Sequence, residues 1–127
     1  MRLLPPVRFR LHNDDHEQYG SDWYVYDEAA LLRVPARELV EIERTIGMAV
    51  LTMIGRARAN FTDANLASMW VARRLAGVTV ERGGKQVPEP FDEFQPLVLL
   101  AEWEKAPADD ADPPASTSSS SPQNSAE

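Results

Sequence analysis

Val7, Phe9 and Leu11 alternate with Arg8 and Arg10, the period-two pattern of a strand with one buried face. A polar stretch, 12–22, follows, and then the aromatic, β-favouring run Trp23 to Tyr26. The two segments predict an N-terminal two-stranded hairpin. A lone hairpin is marginal in water, so it must pack on other elements. Pro35 suits the first position of a helix, and Leu39, Ile42 and Ile46 share one face of it. Gly47 supplies the stop. Val50, Leu51, Met53 and Ile54 predict a second helix over 48–59, weakened at Gly55. A third begins near Thr62, a candidate cap, with Asp63 in its first turn and Leu66, Met69, Trp70, Val71 and Leu75 as a broad apolar face. Arg73 and Arg74 fall in its last turn and Gly77 ends it.

Gly83-Gly84 between short β-prone runs predicts a small hairpin or loop. After Pro88, Pro90 and Pro96, the spacing of Leu97, Leu100, Ala101 and Glu104 predicts a last short helix over 96–105. The reading is an α+β domain, mostly helical: a two-stranded hairpin packed on three to four short helices. Residues 106–127 contain no aromatic residue and no base, only Ala, Asp, Pro and Ser-rich sequence. Such composition cannot offset the entropy of ordering, so 106–127 is read as a disordered acidic tail and 1–105 as the folded domain.

Charge and composition narrow the classes. The 127 residues carry a formal charge of −7. Residues 1–105 hold 16 acids against 13 bases, so the domain is acidic without its tail. The absence of cysteine excludes disulfides, thiolate nucleophiles and cysteine-based metal sites. No apolar run approaches the roughly 20 residues that cross a bilayer. Pro5, Pro6, Arg8 and Arg10 are unlike a secretory signal. A soluble intracellular domain is expected.

Little looks catalytic. His12 and His16 are four apart with Asp14, Asp15 and Glu17 around them, a spacing that would suit a metal on a helix but reads here as a solvated loop. Gly83-Gly84-Lys85 lacks the spacer and the hydroxyl residue of a phosphate-binding loop. The acidic pairs Glu41/Glu43 and Asp92/Glu93 read as solvated helix or cap positions rather than an acid/base couple. Arg56, Arg58, Arg73 and Arg74 are the one basic concentration, and a DNA-binding helix pair would present them. An acidic domain argues against phosphate neutralisation and for helix-end and surface roles. The roles of nucleophile, base and oxyanion donor cannot be filled, so no enzyme and no cofactor is expected. The aromatic residues Trp23, Tyr24, Tyr26, Phe91, Phe94 and Trp103 fit two readings, an exposed partner surface or a partly buried seam. Trp70, within the third helix, fits the core.

The order of parts is familiar. A hairpin leads into VPARELVEIERTIGMAVLTMI, then ANFTDANLASMWVARRLAGV, then the proline-rich PEPFDEFQP and an acidic tail. Glu41, Glu43, Arg44, Gly47 and Met48 end the first helix. Leu66, Ala67, Trp70, Ala72 and Arg74 mark the third, and Phe91 to Phe94 follow. Over about residues 7–105 this resembles the small tail assembly chaperones of long-tailed bacteriophages and prophages. The longer polar loop at 12–22 and the segment 78–87 depart from that pattern.

The resemblance implies a protein-binding module in the host cytoplasm, absent from the finished virion. Its partner would be the tape measure protein, kept soluble while tail tube subunits polymerise. It also implies a longer product made by ribosomal frameshifting, whose extra domain recruits tube subunits. Asp112-Pro113-Pro114 and Gly83-Gly84-Lys85 can both be encoded by slippery runs, the first inside the tail. The expected partner-binding residues are Trp70, Phe91, Phe94 and Trp103. No nucleic acid and no membrane is expected as a partner. The alternatives are a small structural or adaptor protein of the particle and, behind it, a DNA-binding regulator.

Overall fold

The computed structural model describes residues 2–107, so the predicted tail lies outside them from residue 108 onward. β1 (Val7–Arg10) keeps the predicted alternation, with Phe9 fully buried between half-exposed arginines. The polar stretch after it is more ordered than a loop. A 3₁₀ turn, Asn13–Asp15, runs into a one-turn helix, α1 (His16–Tyr19), which stops at Gly20 with φ 90°. β2 (Tyr24–Tyr26) follows. The Asp27 carboxylate then accepts from the Ala29 N–H at 3.0 Å and caps a second one-turn helix, α2 (Glu28–Leu31). Neither turn is long enough to leave a helical period in the sequence.

α3 (Ala36–Ile46) starts one residue after Pro35, which caps it rather than opening it. Ile42 and Ile46 face the core, and Gly47 ends the helix in the left-handed region at φ 78°, a conformation that costs glycine nothing. The Glu43 carboxylate accepts from the Val50 N–H at 2.8 Å, so α3 caps α4 (Val50–Arg58) across the turn. α4 buries Val50, Met53 and Ile54. α5 (Thr62–Leu75) is the central element. Ala67 through Arg73 are all buried, so its middle is covered on every side. Its cap residue is Phe61, and Thr62 makes no capping bond; Asp63 does stand in the first turn as predicted.

β3 (Thr79–Arg82) and β4 (Lys85–Pro88) form a separate hairpin around Gly83 and Gly84, whose φ values of 58° and 80° suit the tight primed turns of hairpins. Two 3₁₀ turns, Phe91–Glu93 and Val98–Leu100, lead to β5 (Glu102–Lys105). β5 corrects the sequence reading twice. The expected helix over 96–105 shrinks to the second 3₁₀ turn, and the N-terminal sheet has three strands in the order β2-β1-β5. Trp103 packs on Phe9, and opposite charges match across the pair. β5 lies antiparallel to β1 with Arg8 opposite Glu104 and Arg10 opposite Glu102, and both pairs form ion pairs. Cross-strand pairs of opposite sign favour that register. The result is an α+β fold, richer in helix than in strand. Phe9, Ile42, Met53, Ile54, Met69, Val71, Trp70 and Phe94 fill its core.

Candidate functional site

Arg73, on α5, organises the middle of the molecule. Its guanidinium donates two parallel hydrogen bonds to the Glu89 carboxylate, both 3.0 Å, and the pair is buried, at 3% and 9% exposure. A third donor reaches the Tyr19 carbonyl at 3.3 Å. The rings of Tyr24 and Phe94 each stand 5.1 Å from the guanidinium carbon, within cation–π range. One turn earlier, Trp70 Nε1 donates to the Glu89 carbonyl at 2.8 Å. α5 therefore grips residue 89 by its main chain and its side chain at once. The proline-broken segment after β4 is drawn onto the core by these contacts.

This geometry divides the expected partner-binding residues. Trp70 and Phe94 are both 1% exposed, and in this fold they pack the interior rather than a surface. Phe91 is half-buried, its ring edge-on to Trp70 at 5.4 Å. Trp103 is 39% exposed and leans on Phe9 at 5.1 Å. Of the four, only Phe91 and Trp103 reach solvent. Of the two readings of the aromatic residues, the buried seam holds for Phe94 and Tyr26. Trp23 lies against Arg8 and Arg10 at 4.3 and 4.7 Å.

One exposed apolar surface lies next to Phe94 in the chain. Leu97, Leu99 and Leu100 stand out from the turn Val98–Leu100, Leu99 at 84% exposure and Leu100 at 54%. A shallow groove of about 320 Å³ runs between this ledge and Thr62, at the start of α5. The ledge is held from behind. Leu97 N–H donates to the Asp15 carboxylate at 2.9 Å, and the Gln95 N–H to the Tyr19 hydroxyl at 3.0 Å. The segment 12–22 thus buttresses residues 93–97. The histidines bond within their own segment: His12 Nδ1 accepts from the Asp14 N–H, and His16 Nε2 lies 2.8 Å from the Leu11 carbonyl. Among the described residues no group of three or more metal-ligating side chains is assembled.

Each arginine of the basic concentration has a carboxylate partner. Arg56 pairs with Asp63, Arg58 with Glu28, Arg73 with Glu89 and Arg74 with Glu38. Arg82 and Glu93 pair between β3 and the turn after β4. Hydrogen bonds from Arg58 hold the Glu28 carboxyl below its ordinary value, overcoming the opposite effect of burial, and the Leu4 N–H adds to them. Hydrogen bonds from Arg74, Arg56 and Arg82 lower Glu38, Asp63 and Glu93 in the same way. Because the folded values lie below the unfolded ones, this stabilisation is complete above about pH 5 and is lost as acid protonates the pairs. Chemical-denaturation midpoints should stay level from neutral pH down to about 5 and then fall. Glu28→Gln should lower the neutral plateau and flatten the acid limb. An acid limb identical to that of the wild type would show that Glu28 contributes none of it.

No helix among the described residues is long and apolar enough to cross a membrane. The chain matches no protein-family model, no curated protein and no solved structure.

Proposed function

We propose that the protein is a non-catalytic binding module, a tail assembly chaperone that holds the tape measure protein of a long-tailed phage or prophage in soluble form. The observation that carries the binding role is the ledge of Leu97, Leu99 and Leu100, an apolar surface larger than an isolated exposed leucine and fixed from behind by Asp15 and Tyr19. Exposed apolar patches on small domains mark partner sites. An amphipathic helix laid along a hydrophobic groove buries such a surface, anchored every three or four residues. The net charge of −7 keeps a complex with an aggregation-prone partner in solution. The choice of partner rests on the motif order and on its likeness to the chaperone family. The ledge, with Phe91 and Trp103, replaces Trp70 and Phe94 as the contact surface.

Co-expression with the tape measure protein encoded downstream of this chain's own gene tests the reading. A soluble complex is expected. Leu99→Asp with Leu100→Asp should weaken it at least about tenfold, while leaving stability within about 0.5 kcal/mol, as for other exposed positions. A tape measure protein that precipitates equally with and without the chain rejects the function. A complex untouched by the double substitution rejects the ledge. Intact-mass analysis of the product expressed from native DNA adds the frameshift test: a minor species sharing residues 1 to about 112 and then diverging is expected. Asp112 itself lies outside the described residues.

A further inference from the structure

In the order β2-β1-β5, the strand β2 bonds β1 on one side and, among the described residues, no strand on the other. The register fixes which of its main-chain groups are free. The Pro6 carbonyl accepts from the Ala106 N–H, so residue 6 turns toward β5, and Arg8 and Arg10, two and four residues on, do the same. Val7 and Phe9, between them, turn toward β2 and take up the main chains of Tyr26 and Tyr24 opposite. Val25 is left with its N–H and C=O directed out of the sheet, and its side chain is 52% exposed. The far edge, β5, is guarded by Glu102, Glu104 and Lys105, and charge along an edge resists pairing. β2, Tyr-Val-Tyr, carries no charged side chain.

A groove of about 610 Å³ runs along this edge. Residues 22–27 form one wall, and Leu31 of α2 with Ala72, Leu75 and Ala76 of α5 form the other. An acid stands at each end of the strand wall, Asp22 and Asp27, and neither has a cationic partner among the described residues. The charges select the occupant. Residues 108–127 carry acids and no base, so they are repelled from the groove. Pairing β2 with its own copy about Val25 would set Asp22 of one chain beside Asp27 of the other at both ends, and like charges across strands are destabilising. A segment with a base at each end is attracted.

We propose that β2 takes up an extended segment of a partner protein as a fourth strand, apolar on the side that faces α5 and flanked by Lys or Arg that meet Asp22 and Asp27. Main-chain bonds at Val25 hold the segment, and its alternate side chains enter the groove. The two acids are five residues apart, about 16 Å along an extended chain, so the two bases have four residues between them. No residue of this groove belongs to the groove beside the leucine ledge, so each site is tested without the other.

The probe is the capped hexapeptide Lys-Val-Thr-Val-Thr-Lys, whose valines face α5 when it lies antiparallel to β2. It is titrated into the full chain and followed by NMR. Saturable shifts are expected at the Val25 and Trp23 amides, and the Val25 N–H should exchange with deuterium at least about fivefold more slowly in the complex. Glu in place of both lysines should weaken binding at least about tenfold. Proline in place of the first threonine, the residue opposite Val25, should do the same, because it removes the N–H that bonds the Val25 carbonyl.

Two variants of the chain complete the test. Val25→Pro removes the outward N–H and spares the bonds to β1, and should abolish binding in a folded protein. Asp22→Asn changes an exposed side chain that the fold does not use, and should weaken binding about threefold and reduce its dependence on salt. No saturable shift up to about 5 mM peptide would overturn the proposal. So would equal binding of the acidic or the proline peptide, or an affinity unchanged in Asp22→Asn. A free chain that dimerises with its Val25 N–H already protected would also overturn it, by giving the edge to a second copy.

Discussion

Glu89→Ala should destabilise the protein by about 3–5 kcal/mol, because it leaves the Arg73 guanidinium buried with no counter-charge. The surroundings offer little relief. Arg73 is 3% exposed, and its remaining neighbours are a carbonyl and aromatic rings. Removing both charges is a different case. A buried ion pair replaced by apolar side chains of similar size is often neutral or stabilising. Arg73→Met with Glu89→Met should therefore be more stable than Glu89→Ala alone, because the flexible thioether introduced on α5 keeps the contact to the rings of Tyr24 and Phe94. Arg73→Lys should not restore the pair, since an ammonium cannot make the two parallel bonds to Glu89. Urea denaturation followed by circular dichroism measures all of these. A Glu89→Ala cost below about 1 kcal/mol would show that water reaches Arg73 and that the pair contributes as a surface bridge does.

Trp70→Ala should cost a similar amount, about 3–5 kcal/mol, the range for truncating a fully buried large aromatic side chain. Two losses combine. The indole fills space beside Phe91, and its N–H satisfies the Glu89 carbonyl. Trp70→Phe separates them: it keeps most of the apolar contact but leaves the carbonyl unpaired, at about 1–3 kcal/mol. Trp70 and Glu89 share a partner segment, so their effects should not add, and a double-mutant cycle should show coupling. Domains of this size are stable by only about 5–15 kcal/mol. A partner-binding defect in Trp70→Ala would therefore report unfolding unless the fold is checked in parallel. A Trp70→Ala protein with native stability would move Trp70 from the interior to the surface and restore it as a contact residue.

The three long helices are legible because each repeats its apolar positions over two or more turns and stops near a glycine or a short break. Gly47 and Gly77 both adopt positive φ. β5 is not legible. Leu97, Leu100 and Ala101 mimic a helical face, while the strand signal, Glu-Trp-Glu-Lys, is only four residues long. Its meaning lies in Arg-Phe-Arg at the other end of the chain, where no local window can reach. The carboxylate partners of Arg58, Arg73 and Arg74 are hidden for the same reason, each 16 to 36 residues away. Tryptophan and phenylalanine suit an interior and an interface alike, so residue type cannot sort Trp70 and Phe94 from Trp103. The leucines of the ledge carry the spacing of a helix's buried side, yet they stand in solvent.

The β1–β5 pairing also fixes an order of events during synthesis. β1 leaves the ribosome before every other strand and helix described and β5 after them, and the Ala106 N–H closes the seam on the Pro6 carbonyl at 3.2 Å. Contacts between such distant segments form late and slow folding. α4 and α5, neighbours in sequence, can pair while translation continues. The arginine edge of β1 must wait. Nascent chains halted before residue 102 therefore expose Phe9 on an unfinished sheet, and release of the last strand is the step that makes the domain whole.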